Sequence, residues 1–164
     1  MRKIRKYGEE ILRKKAESVK NIDEKIVKLI KSMKETLLHF KGIGLAAPQV
    51  GVSKRIFIAH DKENNNLITV INPEIIDTKG EQIDIEGCLS FPEIYFSINR
   101  NKIVVIKGLN EKGKEIVLEG RDLMARCFQH EIDHLNGVLI IDYATEEEKK
   151  YYREKLKKLN KNKT

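Results

Sequence analysis

The strongest constraint on this chain is a succession of short β-rich runs with turn residues between them. Arg55-Ile-Phe-Ile-Ala59, Leu67-Ile-Thr-Val-Ile71, Ile94-Tyr-Phe-Ser-Ile98, Lys102-Ile-Val-Val-Ile-Lys107 and Glu115-Ile-Val-Leu118 carry the β-branched and aromatic residues that suit a pleated surface. Asn64-Asn-Asn66, Lys79-Gly80 and Glu111-Lys-Gly113 supply turns. Short connections favour antiparallel neighbours, because a parallel pair needs a crossover of about a dozen residues or more. Helical spacing is confined to a few places. Asn21 and Asp23 offer caps to a helix over about 23–40, with Ile26, Ile30, Met33 and Leu37 on one face and Gly42 ending it. A second helix is expected over about 121–135, stopping before Gly137, and Val138-Leu-Ile-Ile141 then reads as a buried strand. Thr145 and Glu148 form a capping box for a last, basic helix at about 146–160, with Tyr152, Leu156 and Leu159 on a narrow stripe. The expectation is an α+β fold: mostly antiparallel short sheets around a central helix at 121–135, with an N-terminal and a C-terminal helix. At 164 residues the chain suits one domain, 1–164.

Charge and cysteine content narrow the class. The net charge is +7, and the segment from Glu146 to Thr164 holds eight Lys or Arg against four Glu, so it supplies +4 of that excess. Such a tail suits weak attraction to polyanions or simply a solvated helix face. The two cysteines, Cys88 and Cys127, are too few and too far apart for a disulfide framework, and a thiol kept reduced for metal or catalysis suits them better. Met1-Arg-Lys-Ile-Arg-Lys6 is charged and no apolar run follows it, nor does any stretch approach the ~20 residues needed to span a bilayer. A cytoplasmic protein with no membrane partner is expected.

The sharpest chemical signal is His130-Glu-Ile-Asp-His134. Two histidines four apart on a helix share a face and can reach one cation, and the glutamate after the first can reach a water on that cation as general base. A catalytic site wants a third ligand and an open position. A histidine six residues after His134 would complete one protease pattern, but that position is Ile140. Glu154 stands at the spacing of another, where pairing with Lys158 explains it as well. His39 and His60 read as ordinary helix-end and strand-end residues. Cys127, one turn before His130, would form with the histidines a row about 10 Å long, too extended to converge on one ion. It reads better as a small buried residue beneath the site. Cys88, in Glu86-Gly-Cys-Leu-Ser90, can approach from a separate loop and close a Cys-His-His set, although a buried core thiol is its ordinary reading.

Three segments together resemble the peptide deformylases: Gly42-Ile-Gly-Leu-Ala-Ala-Pro-Gln49, Glu86-Gly-Cys-Leu-Ser90 and Gln129-His-Glu-Ile-Asp-His134. All three are complete and in the family's order. The resemblance implies that Cys88, His130 and His134 hold the metal and that Glu131 is the acid/base. It implies that Gln49 and the Leu89 N–H donate to the formyl oxygen, and that Ile43, Gly44 and Gly87 lend backbone to an extended peptide. It further implies one divalent metal per chain, Fe2+ in the family, with Zn2+, Ni2+ or Co2+ accepted. The activity implied is removal of the N-formyl group from formyl-methionine of nascent polypeptides, releasing formate. Ribosome contact through the basic C-terminal helix would follow, with no sequence-specific nucleic acid binding. Two places differ from the family pattern. Glu9-Glu10 stands where Asp-Pro is frequent near the N-terminus, and Tyr95 stands where many bacterial members carry a basic residue. Leu123, Cys127 and Phe128 are candidates for a methionine pocket, with core packing an equal account of each.

Overall fold

A computed structural model describes residues 1–161. Helix α1 (Glu24–Phe40) leads to strands β1 (Gly44–Ala46), β2 (Ile56–Asp61), β3 (Asn66–Lys79), β4 (Gln82–Cys88), β5 (Phe91–Arg100), β6 (Ile103–Leu109) and β7 (Glu115–Arg121). Helices α2 (Leu123–Leu135), α3 (Glu146–Tyr151) and α4 (Arg153–Lys161) follow. Every pairing between these seven strands is antiparallel. One sheet runs β1-β2-β3-β6-β7, and β4 and β5 form a second, two-stranded sheet.

The alternation of side chains along a strand explains how the large sheet is covered. Leu45, Ile56, Ile58 and Ile71 meet Ile26, Leu29, Ile30, Met33 and Leu37 of α1. Ala46, Phe57, Ala59, Val70, Val104 and Ile106 meet Ala125, Phe128, Ile132 and Leu135 of α2. Strand β2 is thus buried on both faces, which is why Ile56-Phe-Ile-Ala59 is a continuous apolar run and not an alternating one. The small sheet has its own cluster, in which Phe91, Ile94, Phe96 and Ile98 pack with Leu12, Leu139 and Ile140. Tyr152, Leu156 and Leu159, the stripe expected on the last helix, lie against this cluster.

Asp23 caps α1 by accepting from the Ile26 N–H. At the other end Lys41, not Gly42, takes the left-handed conformation (φ +56°), and the Gly42 N–H bonds to the Leu37 carbonyl. Two stretches of strand carry no clear sequence signal. The Gly- and Pro-bearing segment 42–53 contains β1, and Glu86-Gly-Cys88, from which Cys88 is expected to approach as part of a loop, ends β4. β3 runs on to Lys79, pairing first with β2 and then with β6, and its register shifts between Ile71 and Glu74, around Asn72 and Pro73. Val138–Ile141 is not a strand. Gly137 turns the chain at φ +74°, the Val138 N–H caps α2 on the Asp133 carbonyl, and a 3-10 turn occupies Ile140–Tyr143. The run is apolar because Leu139 and Ile140 fill the small sheet's core, not because it pairs. The C-terminal helix is broken at Tyr152 into α3 and α4.

Candidate metal centre

Helix α2 presents His130 and His134 on one buried face, with their Nε2 atoms 3.2 Å apart. Cys88, at the end of β4, brings its Sγ to 3.3 Å from His134 Nε2. The three donor atoms all lie within 4.8 Å of one another. A tetrahedral ion with nitrogens at about 2.0–2.1 Å and sulfur at about 2.3 Å sets donors roughly 3.3–3.6 Å apart, so the spacing fits a cation. The chemistry of the donors fits too, since lone pairs converging without hydrogens between them repel unless something positive is shared. Cys127 stands outside the group: it is buried, its Sγ lies 3.6 Å from the Ile43 carbonyl, and burial pushes its thiol pKa up. Neither Glu154 nor His39 nor His60 joins the donors among the described residues.

The orientation of His130 is fixed from behind. Its Nδ1 lies 2.6 Å from Glu86 Oε2. Glu86 is 5% exposed and also accepts from Arg100, at 2.7 and 3.0 Å, and from Arg126 at 2.9 Å. Burial alone would raise this carboxyl's pKa, but the hydrogen bonds from His130 and Arg100 outweigh it and hold the group well below the usual carboxylate range. An ionised Glu86 takes the Nδ1–H and leaves the Nε2 lone pair pointing at the other donors. For His134, burial dominates and keeps the imidazole neutral.

Arg100 extends the network outward. It reaches Asp133 Oδ2 at 2.6 Å and Tyr143 Oη at 3.2 Å, and Tyr143 itself donates to Asp133 at 2.6 Å. Arg126 donates to the carbonyls of Ile98 and Gln82, tying α2 to both strands of the small sheet. No sequence pattern assigns a role to Glu86, Arg100, Arg126, Asp133 or Tyr143. A partial signal exists: Arg126 precedes His130 by four residues and so shares its face. The partners of Glu86 come from separate elements, which no spacing announces.

Glu131 is 3% exposed, and one carboxylate oxygen has no hydrogen-bond partner among the described residues. Burial pushes its pKa up to about 7. It lies against the Cα of Gly44, where an added Cβ would press on the carboxylate and come 2.7 Å from Cys127 Sγ. Glycine is required there for this close approach. Gln49 is buried in the turn after β1. Its Oε1 accepts from the Ala46 N–H at 3.0 Å, and this aims its Nε2 at Ser90 Oγ (3.1 Å) and Cys88 Sγ (3.5 Å). Leu89 follows Cys88 in the β4–β5 turn and is half-buried.

These groups open onto a cleft of about 670 Å³. Gly42, Ile43 and Gly44 line one side and Glu86, Gly87, Cys88 and Leu89 the other, with Cys127, His130 and Glu131 the buried part between them. Phe40, Lys41, Lys62, Tyr95 and Leu123 are exposed lining residues. Of the three methionine-pocket candidates, Leu123 and Cys127 line the cleft. Phe128 does not, and packs instead in the core with Phe57.

A family model described as polypeptide deformylase matches residues 1–150. Peptide deformylase 1 of Clostridium acetobutylicum is 50% identical over 148 residues, which cover 90% of this chain and 97% of that protein. Among solved structures, a peptide deformylase from Legionella pneumophila superposes with a TM-score of 0.91 at 40% identity, covering 98% of this chain and 96% of the other. The peptide deformylase of Thermus thermophilus gives 0.92 at 37% identity, covering 98% of each chain.

Proposed function

Because this chain belongs to the peptide deformylase family, we propose that Cys88, His130 and His134 hold its catalytic metal, that Glu131 carries the proton, and that Gln49 and the Leu89 N–H hold the formyl oxygen. The protein removes the N-formyl group from nascent polypeptides, and family members use a single catalytic metal. When bound, the cation supplies Lewis-acid activation of a water and of the formyl carbonyl.

The chain's own residues do the rest. Glu131 takes a proton from the attacking water as the water oxygen bonds to the formyl carbon. The C–N bond breaks, and Glu131 returns the proton to the departing amine nitrogen, leaving a free N-terminus and formic acid, which gives up the water's second proton to become formate. A carboxyl held near neutral pKa is suited to both transfers, a contribution of about 10²–10⁴ in rate. Negative charge on the formyl oxygen is met by Gln49 Nε2, already oriented by the Ala46 N–H, and by the Leu89 N–H; one such donor contributes about 3–4 kcal/mol. Ile43, Gly44 and Gly87 offer backbone to an extended peptide lying between β1 and β4, a form of strand addition. The observation that carries this reading is an unpartnered Glu131 oxygen beside three convergent soft and borderline donors in an open cleft.

Thiolate with two imidazoles accepts iron, zinc, cobalt or nickel, and Fe2+ is the metal we assign. We also read 1–164 as one catalytic domain, of which the last three residues lie outside the described ones. The clusters that pack residues 4–19 against β2, β5 and α2 support this. No helix among the described residues is long and apolar enough to cross a membrane. We place the protein in the cytoplasm, where formylated chains are made. Ribosome contact through α4 rests on its exposed Arg153, Lys155, Lys157, Lys158 and Lys161, the apolar stripe being turned inward.

The deciding experiment is anaerobic purification, with metal analysis and formate release from formyl-Met-Ala on the same sample. One metal per chain with formate release is expected. Casein cleavage without formate release would instead make this an endopeptidase.

A further inference from the structure

We propose that the mouth of the cleft selects formylated chains with an acidic side chain at the second or third residue after methionine, through Lys41 and Lys62. This rests on the cleft being the deformylase substrate site. Gly44 abuts Glu131, so the run back through Ile43 and Gly42 leads away from the reacting atoms to Lys41. The three residues back to Lys41 span at most about 10 Å, shortened by the turn at Lys41. An extended peptide beside that run, with its formyl group at Glu131, has its third residue, the second after methionine, near that distance and its fourth just beyond it.

Lys62 stands on the same rim. It follows β2, whose Ala59 pairs with Gly44, and its Nζ donates to the Lys41 carbonyl at 3.4 Å. Both lysines are exposed, and neither has a carboxylate within salt-bridge distance among the described residues. Of the two carboxylates beside Lys62 in the chain, Asp61 accepts from the Asn64 side chain at 2.8 Å and Glu63 is exposed without an ion pair to Lys41 or Lys62.

The remaining charges along the cleft leave the sign unchanged. Glu86 is neutralised by Arg100 and Arg126, and Glu131 is buried. Glu93, on the opposite side, faces Lys155 of α4 at 3.8 Å. Lys6, half-buried near Cys88, adds a third cation. A peptide carboxylate therefore meets two ammonium groups that have no carboxylate partner among the described residues, and a peptide lysine meets like charge. At contact in water one such pair is worth about a fivefold change in an equilibrium constant, and salt screens it.

The test is formate release from formyl-Met-Ala-Glu, formyl-Met-Ala-Gln and formyl-Met-Ala-Lys amides, by the metal-loaded protein at low and at high potassium chloride. The ratio of kcat/KM for the Glu peptide to that for the Lys peptide should be about three- to tenfold, carried by KM, and should shrink at high salt. In Lys41→Glu/Lys62→Glu the ratio should fall below one, and in Lys62→Glu alone it should fall part of the way. Turnover of the Gln peptide reports that the variants are folded. Equal kcat/KM on all three peptides at low salt would overturn the proposal alone. No formate from any peptide would overturn the deformylase reading of the cleft and this proposal with it.

Discussion

Glu86 Oε2 lies 2.6 Å from His130 Nδ1, so a strand carboxylate fixes a helix imidazole 44 residues away in sequence. The same carboxylate compensates two buried arginines, Arg100 and Arg126. Glu86→Gln keeps the shape and removes the charge. Metal affinity, read by chelator competition, should fall about 10- to 100-fold, as expected when an orienting partner of a ligand is lost. Thermal stability should fall too, because breaking a buried pair leaves an uncompensated charge, at a cost of about 3–5 kcal/mol. Unchanged metal affinity with lowered stability would mean that Glu86 only neutralises the arginines.

The two thiols separate cleanly. Cys88→Ala should emerge from purification without metal, while Cys127→Ala should keep close to one metal per chain, since its sulfur sits outside the donor cluster. Metal analysis of the two proteins side by side checks this. Equal retention by both would remove Cys88 from the ligand set.

Glu131→Ala should retain the metal and lose about 10²–10⁴ in kcat on formyl-Met-Ala, because no other unpartnered carboxylate is buried among the described residues. Near-normal turnover would transfer the proton role elsewhere.

Arg13 and Asp142 form a two-pronged pair at 2.7 and 3.0 Å that closes the chain around Gly137. Burial raises the Asp142 pKa, but Arg13 and the Leu139 N–H outweigh it and hold the carboxyl below its ordinary value. A carboxyl with a depressed folded pKa stabilises the fold above its unfolded pKa, and that stability is lost as pH falls. The pair is partly exposed, so solvent keeps the effect to about 1 kcal/mol or less. The stability difference between wild type and Asp142→Asn should be full at pH 7, begin to shrink as pH falls below about 4, and vanish only below the lowered folded-state pKa. A difference as large at pH 3 as at pH 7 in denaturant melts would show that charge is not its source.

Lys157 and Lys158 project from α4 away from the apolar stripe. Lys157→Glu/Lys158→Glu should weaken salt-sensitive co-sedimentation with ribosomes, the formate-release rate on a dipeptide reporting an intact fold. Unchanged ribosome affinity would remove the tail from that role.

Local signals set much of this protein. The caps at Asp23 and Thr145, the apolar face of α1 and the two histidines of α2 are short-range patterns, and each is where spacing puts it. The joining of Cys88 to the histidine pair is legible because few other residues could complete the set. Relations between distant segments are another matter. Val138–Ile141 has a strand's composition, yet it lies as a turn, because Leu139 and Ile140 fill the core of the small sheet instead of pairing with its strands. β1 is three residues long and becomes a strand only because β2 lies beside it. The sequence places Glu86 at the head of the Glu86-Gly-Cys-Leu-Ser90 segment but assigns it no role, although four side-chain nitrogens from Arg100, Arg126 and His130 converge on it. Periodicity and capping act within a turn or two of chain and so are written locally; burial, and the partners that a buried charge must find, exist only once the sheets and α2 have closed on one another.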